Sequence, residues 1–411
     1  MSSVSACRTL TRVKRGVAFF CALWLSAQPA FALDFASLRQ LIETEKIASI
    51  EELLSRLPAP DRSGYVLVFD SRSLQGASFR DPRALVFGKD AKFIFTFNGD
   101  SQQRGYEQIE TMEFEPVNKT FIFRNIVFTR AGSGSGEITF SEVNPPVCLG
   151  CHGNPPRPIW DTHPVWPGVY GENYLRPLDK LERNGLAEFS ASMNSHPRYR
   201  HLLYLENYVR PTAFSPDTVQ RYQGTPSEPP NAVLTNSLGY MNLLAIAAQV
   251  ERAEKFAAYQ YALLGSLHPG CSSADLVPSD VRASFRVSYD DFVASSDKAN
   301  LQQRALKSLR TLRKESGFTA APAGESMDRF RYLVEQGLGI STSEWTLALE
   351  KNTYDFAISG QVRQELEVMF FNRLASVDPA LRNLREIEAM SRSDKYCAYL
   401  ERKSRRLLSQ N

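Results

Sequence analysis

The chain has 411 residues, of which 43% are hydrophobic and 23% are charged, with a formal net charge of +3. With a mean hydropathy of −0.30, this balance excludes both a disordered chain and a polytopic membrane protein. The small net charge argues against a nucleic-acid-binding surface. Six cysteines are too few for a scaffold held together mainly by disulfides, so the positions of the cysteines are more informative than their number.

The N-terminal residues have the pattern of an export signal. Four basic residues and no acidic residue precede an apolar run at 16–27, and Ala30-Phe31-Ala32 follows that run. This order is typical of a secretory signal with an A-x-A cleavage site. The other interpretation, a membrane anchor, needs about 20 consecutive apolar residues. The pattern therefore predicts export to the periplasm, cleavage after Ala32 and no transmembrane span in the mature chain.

The next hundred or so residues are predicted to form two short helices and then a sheet. Helical periodicity covers 33–60, where Ser49 and Glu52 have capping-box spacing. Six segments rich in β-branched and aromatic residues then predict strands at 65–70, 84–88, 92–100, 107–115, 120–128 and 137–142. Phenylalanines alternate along 93–97, and glycine-containing turn signals separate neighbouring segments. The close spacing of the segments predicts an antiparallel meander.

The strongest motif follows the last predicted strand. Residues 148–152 read Cys148-Leu149-Gly150-Cys151-His152, the CxxCH signature of covalent haem attachment. Two thiols three positions apart can reach the two vinyl groups of one haem, and the adjacent histidine supplies an axial nitrogen to the iron. A zinc half-site is the first alternative, but no second pair stands at zinc-ligand spacing. A thioredoxin-like redox pair is the second, but such a pair opens a helix within a βαβ unit.

On Cys148 to His152 and Gly153 the chain resembles the c-type cytochromes. The resemblance implies one covalently bound haem c with its iron, thioether attachment through Cys148 and Cys151, and proximal ligation by His152. A single motif disfavours a multihaem electron wire and a dihaem peroxidase. Because the motif follows a strand-like segment at 137–141, the arrangement is also similar to β-sheet c-type haem proteins such as the β-type cytochromes c-prime.

The segment around the motif is rich in proline and aromatic residues. Seven prolines lie from Pro145 to Pro167, and they predict a rigid extended loop through which no helix or inner strand runs. Arg157, Trp160 and Trp166 are interleaved with these prolines. The segment is predicted to wrap the haem, with the indoles against the ring and the arginine against a propionate. The other interpretation is a proline-rich surface loop.

The sequence leaves the sixth ligand of the iron open. An empty or water-bound position is one candidate, and the side-chain candidates are His163, Met193, His196, His201, Met241 and His268. The choice bears on function because a methionine ligand favours electron transfer, whereas an open position favours ligand binding or peroxide chemistry.

The remainder of the chain is predicted to be mostly helical. Helices are expected at 236–264, 279–296, 298–315, 325–337, 342–357 and 361–374. Cys271 and Cys397 are predicted to form a disulfide in an oxidising compartment, and two free thiols are the alternative.

The fold class is therefore α+β: an antiparallel β-meander, a Pro-rich haem-attachment segment and a mostly α-helical domain. The predicted domains are the signal peptide at 1–32, an α+β sheet domain at 33–145, the haem-attachment segment at 146–180 and the helical domain at 181–411.

These features favour a periplasmic monohaem c-type cytochrome that transfers single electrons to a partner protein. No GxSxG, HExxH, Walker or Rossmann pattern is present, which favours an electron carrier over a catalyst. The size of the chain supports a second hypothesis, a haem enzyme or a haem-based ligand-binding or sensor protein with an open distal site. A third is an interaction protein that uses haem to stabilise its fold.

Overall fold

The computed structural model describes most of the chain beyond Ala32. The described residues are 33–71, 73–87, 91–129, 138–158, 168–170, 180–203, 230–271, 276–302, 325–342, 359–388 and 394–410. The predicted signal peptide lies outside them, as do Trp160, His163 and Trp166. Most of the helix predicted at 298–315 and almost all of the one predicted at 342–357 also lie outside them.

Two short helices open the described chain, α1 (Phe35–Glu45) and α2 (Ile50–Arg56). Asp34 caps α1 because its carboxylate accepts a 2.7 Å hydrogen bond from the backbone N–H of Ser37. Ser49 caps α2 in the same way through the N–H of Glu52 at 3.1 Å. Both helices bury their apolar faces against one side of the sheet that follows.

The sheet has six strands in chain order, and every neighbouring pair is antiparallel. The strands are β1 (Tyr65–Val68), β2 (Arg83–Val86), β3 (Phe93–Phe97), β4 (Gln108–Glu115), β5 (Thr120–Phe128) and β6 (Ile138–Phe140). The predicted meander is confirmed. Its register places Ile94 opposite Met112 and Met112 opposite Phe123, so these three side chains share one face.

Both faces of the sheet are covered, which explains why every residue of β3 is buried. On the first face, α1, α2 and α4 (Lys180–Met193) pack on a core that includes Phe95, Phe97 and Phe189. On the second face, Ile94, Phe123 and their neighbours meet α3 (Pro146–His152) and α5 (Pro230–Glu251). The two faces therefore belong to separate cores.

The Pro-rich segment contains a helix that the prolines led us not to expect. Pro145 occupies the cap position of α3 and Pro146 its first turn. Proline fits there because the first N–H groups of a helix have no intrahelical partner and its fixed φ already suits the helix. The prediction of an uninterrupted extended segment was therefore wrong for 146–152.

Seven more helices follow α5, namely α6 (Phe256–Leu267), α7 (Ser279–Ala283), α8 (Tyr289–Gln302), α9 (Glu325–Leu338), α10 (Ser359–Val377), α11 (Pro379–Glu388) and α12 (Asp394–Leu408). A single helix is predicted at 236–264, but the structure has two helices there, α5 and α6, separated by a turn after Glu251. The region predicted as one helix at 279–296 likewise contains two helices, α7 and α8. The α+β fold class is confirmed. Among the described helices, none combines the length and apolarity that a membrane crossing requires.

A third core lies among these helices, with Leu264, Phe330 and Phe370 fully buried within it. A disulfide joins Cys271 to Cys397 across 126 residues, so the predicted pairing is confirmed. Closing a loop of this size stabilises the fold by about 4–5 kcal/mol in the chain-entropy model.

A buried carboxylate, Asp378, joins three helices of this core. It accepts hydrogen bonds from the hydroxyls of Tyr261 at 2.6 Å and Tyr399 at 2.8 Å, and Lys403 lies 3.2 Å away. Burial opposes ionisation of Asp378, but these donors outweigh it and lower the pKa to about 2, from an ordinary 3.8. A carboxylate with a depressed pKa stabilises the folded state above its unfolded-state pKa, and the stabilisation is lost as the pH falls through the folded value.

We expect Asp378→Asn to lower the free energy of unfolding at pH 7 by about 1–3 kcal/mol, because it removes charge-assisted hydrogen bonds. The difference in the free energy of unfolding between the two proteins should reach its full value above about pH 5 and should shrink as the pH falls toward 2. Urea unfolding of both proteins over a pH series measures this difference. A difference that does not change with pH would contradict the assignment.

Candidate functional site

The CxxCH helix α3 is fixed directly to the neighbouring strand β5. Asn144, just before the helix, adopts a φ of 51°, a left-handed conformation that asparagine tolerates. Its side-chain oxygen accepts a hydrogen bond from the N–H of Phe123, and its own N–H donates to the Phe123 carbonyl, both at 2.8 Å. This exchange ends the strand pairing and turns the chain into α3 beside Phe123.

The two cysteines of the motif differ in their surroundings. Cys148 is 9% exposed within the second-face core, whereas Cys151 is exposed, and neither forms a disulfide. Burial, with the negative charge of Glu110 nearby, raises the pKa of Cys148 to about 11. The first cysteine of a thioredoxin-like pair needs a lowered pKa and an accessible sulfur. The environment of Cys148 therefore argues against dithiol redox chemistry at this motif.

His152 is the last residue of α3, and its ring is held from two sides. The ring stacks on Phe123 with centroids 4.0 Å apart, and Nδ1 lies 2.6 Å from the carbonyl oxygen of Arg157. Because a carbonyl can only accept, Nδ1 must carry the hydrogen, and the lone pair therefore lies on Nε2. A backbone carbonyl that fixes one nitrogen in this way is the usual outer partner of a histidine that binds a metal.

A short loop, 153–157, returns the chain to His152. It begins at Gly153, whose φ of 78° favours glycine, and it closes with a 3.0 Å hydrogen bond from the N–H of Arg157 to the His152 carbonyl. Arg157 is 6% exposed, and its guanidinium reaches Gln249 of α5 at 3.3 Å. The loop that orients His152 is therefore attached to the helix above the sheet.

Cys151 and His152 line an open cleft of about 190 Å³ over the second face of the sheet. One part of its wall is apolar and consists of Val68, Leu85, Ile94, Met112, Phe123, Pro158 and Leu238. The remaining lining residues are polar and consist of Ser71, Ser73, Arg83, Thr96, Glu110 and Thr111. The cleft therefore offers a flat ligand both an apolar wall and a polar edge.

An ion pair organises the polar edge. The guanidinium of Arg83 donates to Glu110 at 2.6 Å and to Gln75 at 2.8 Å, and Thr96 donates to the same Gln75 oxygen at 2.6 Å. Arg83 and Glu110 leave only 13% and 17% of their side chains exposed. This edge therefore carries a hydrogen-bonded ion pair next to the apolar wall.

The chain on both sides of 159–167 is attached beside the cleft. Pro158 lines the cleft, and Val169 pairs with Val68, another lining residue. The N–H of Tyr170 donates to the Leu67 carbonyl at 2.9 Å. The aromatic residues predicted to wrap a haem, Trp160 and Trp166, lie outside the described residues, so this prediction stays open.

The structure separates the proposed sixth ligands. Met193 is buried in the first-face core, and His196 stacks on Tyr199 there, with Nε2 3.1 Å from the Gly99 carbonyl. His201 follows in the same 3-10 turn, beside Arg62. His268 lies next to Glu367 among the C-terminal helices. These four residues do not line the cleft.

Two methionines are better placed. Met241 is 4% exposed in the core that contains Cys148, and Met112 lines the cleft with His152. Met112 is absent from the ligands predicted from the sequence. Because side chains alternate along a strand, Met112 and Phe114 lie on the same face of β4. This alternation shows which residues share a face, but it does not show that His152 lies over that face.

A zinc site at the motif is disfavoured by the geometry. In the described part of the chain, the group of histidine, cysteine or acidic ligands close enough to share one ion is His268, Cys271 and Cys397. Cys148, Cys151 and His152 do not form such a group, so their ligand atoms are too dispersed for one small ion.

Comparison with protein-family models, with curated proteins and with solved structures found no match to this chain. The functional assignment therefore depends on the motif and on the geometry around His152.

Proposed function

We propose that this chain is an exported monohaem c-type cytochrome. In this proposal Cys148 and Cys151 hold one haem through thioethers, His152 binds the iron through Nε2, and the protein transfers single electrons to a partner protein. One observation carries the proposal: His152, with Nδ1 held by a backbone carbonyl, lines an apolar cleft together with Cys151. When bound, haem iron supplies one-electron oxidation and reduction.

The residues of this chain fit such a group in three ways. The Arg157 carbonyl sets the tautomer of His152 and raises the basicity of its ligating nitrogen. The apolar wall formed by Leu85, Ile94 and their neighbours excludes water from a ring placed against it. At the polar edge, Arg83 is the cationic side chain that an anionic propionate would meet, and it shares its charge with Glu110.

Export to the periplasm belongs to the same proposal. Haem attachment of this kind takes place outside the cytoplasm, and the N-terminal residues have the pattern of a signal peptide. The disulfide between Cys271 and Cys397 is also typical of an oxidising compartment.

The polar edge favours a second candidate function, a haem enzyme or ligand-binding protein with an open distal position. Ser71, Ser73 and Glu110 give the cleft hydrogen-bonding groups that a simple electron carrier does not require. The two functions differ in the state of the iron. A sixth protein ligand favours electron transfer, whereas an open position allows an external ligand to bind.

An absorption spectrum of the haem-loaded full chain tests both functions. The protein is produced with its own N-terminal sequence in a periplasm that attaches haem c, and it is then recorded oxidised, reduced and reduced with carbon monoxide. We expect low-spin iron and a reduced spectrum that carbon monoxide leaves unchanged. High-spin iron that binds carbon monoxide would reject the electron carrier and favour the second candidate, and a chain without covalent haem would reject both.

A further inference from the structure

A second group of reactive side chains lies among the C-terminal helices. The sulfurs of Cys271 and Cys397 and a ring nitrogen of His268 all lie within 4.8 Å of one another. His268 and Cys271 follow the end of α6, and Cys397 lies in α12. A disulfide that only links two helices needs no imidazole beside it, so the role of His268 calls for an explanation.

The two cysteines of this disulfide differ in exposure. Cys271 is 2% exposed in the helical core, whereas Cys397 is partly exposed at its margin. Cys397 is therefore the side from which a thiolate of another molecule would attack, and the sulfur released by that attack would be Cys271. A thiolate left in the apolar surroundings of Cys271 is unfavourable, so the exchange proceeds only when a proton is supplied to that sulfur.

His268 is oriented by a carboxylate that is itself fixed. Nδ1 lies 2.8 Å from an oxygen of Glu367, and the other oxygen of Glu367 accepts from Arg363 at 2.5 Å. Burial opposes ionisation of Glu367, but His268 and Arg363 outweigh it and lower its pKa. The anionic Glu367 therefore holds the ring of His268 in one orientation through Nδ1.

We propose that Cys271 and Cys397 form a thiol-exchanging disulfide that accepts two electrons from a dithiol donor, with His268 as the proton donor to Cys271. The donor thiolate attacks Cys397 and forms a mixed disulfide while the bond to Cys271 breaks. Cys271 takes the proton of His268. The second donor thiol then displaces Cys397 and gives its proton to that sulfur, while His268 regains from solvent the proton that the first donor thiol released. The donor thus becomes a disulfide, and the protein gains two electrons and two protons.

The site is separate from the haem-attachment motif, and its exchange chemistry does not require the proposed haem. Reduction would release the covalent link between the end of α6 and α12, which contact each other closely. The substrate class is a small dithiol or a protein with a dithiol pair, because a second thiol is needed to resolve the mixed disulfide.

The test measures how fast the folded full chain, with any bound haem, is reduced. Dithiothreitol is the donor, samples are alkylated at intervals, and mass spectrometry counts modified Cys271 and Cys397. We expect His268→Gln to slow reduction at pH 7 by about 100-fold, the lower end of the range for loss of a general acid. His201→Gln, which alters a partly buried histidine in the N-terminal part of the chain, serves as the control and should react like the wild type.

A pH series separates proton donation from a packing effect. The rate of the wild type divided by that of His268→Gln cancels the ionisation of the donor, and this ratio should fall as the pH rises from 6 to 9. The groups that face His268 are Glu367 and Arg363 of α10, Tyr396 of α12 and Arg329 of α9. Glu367→Gln replaces the carboxylate that contacts His268 with an amide of the same shape. It should slow reduction less than His268→Gln does, because Glu367 acts only by positioning His268.

Equal rates for the wild type and His268→Gln would overturn the proposal, as would a ratio that does not change with pH. Reduction only after denaturation would also overturn it and leave the bridge a purely structural link. If His268→Gln unfolds, as seen by circular dichroism, Glu367→Gln replaces it in the comparison with the wild type. Slower reduction of Glu367→Gln would then support the proposal, and an unchanged rate would overturn it.

Discussion

The double variant Cys148→Ala/Cys151→Ala is expected to lose covalent haem completely. Both thioether sulfurs are then absent, and His152 alone holds a haem only by a reversible bond that a denaturing gel breaks. Haem-dependent staining of the gel and the intact mass of the chain measure the loss. The fold should persist, because only Cys148 belongs to the second-face core and the other side chains of that core are unchanged. Cys151 is exposed, so its replacement removes no core contact.

The other cysteine pair provides the matched control. Cys271→Ala/Cys397→Ala removes the disulfide of the helical core and should keep the haem stain while lowering stability by about 4–5 kcal/mol or less. Staining that survives in the first double variant would reject thioether attachment at 148–152. A wild-type chain that is never stained after export would reject the proposed function itself.

The motif and the sheet could be predicted because their signals are local. The five residues of CxxCH are contiguous, and alternating phenylalanines along β3 mark a strand whatever the rest of the chain does. Close spacing of the strands made antiparallel pairing the simplest topology, and the structure has that order. The pairing of Cys271 with Cys397 followed from the cysteines left over once the motif and the signal segment were assigned.

The cleft could not be predicted, because residues distant in sequence form it. Its wall combines Met112 of β4 and Leu238 of α5 with His152, and their proximity depends on strand register and on where α5 packs. Met193 is among the ligand candidates taken from the sequence, yet it lies at the end of α4 in the core on the opposite face of the sheet. Position along the chain is therefore a poor guide to which side chains approach the proposed iron.

A fully buried arginine on the first face leads to the second large expected effect. Arg198 has no exposed surface, and it donates to Glu51 of α2 at 2.6 Å and to the carbonyl of Asn98 at 2.8 Å. It also donates to the carbonyl of Tyr106 at 2.7 Å, and its guanidinium carbon lies 3.5 Å from the centroid of that ring. One side chain thus joins α2, the β3–β4 connection and the segment after α4.

Arg198→Met is expected to lower the free energy of unfolding by about 3–5 kcal/mol, because it removes the charged partner of a part-buried carboxylate and a hydrogen-bond donor to two backbone carbonyls. Chemical denaturation at pH 7 measures this loss. Arg39→Met is the matched control: Arg39 lies 2.7 Å from Glu43, but their side chains are 51% and 52% exposed. An exposed pair of this kind contributes about 0.2–1 kcal/mol, so equal losses in the two variants would contradict the expected effect of burial.

The pH dependence of this loss identifies its electrostatic part. Burial opposes ionisation of Glu51, but Arg198 outweighs it and lowers the pKa of that carboxyl. The difference between Arg198→Met and the wild type should therefore be largest above the ordinary pKa of glutamate and smaller in acid. Because Arg198 belongs to the first face and the CxxCH motif to the second, Arg198→Met should reduce stability while its folded fraction keeps covalent haem. Cys148→Ala/Cys151→Ala should lose covalent haem while the chain remains folded. This contrast tests whether the two faces of the sheet have separate roles.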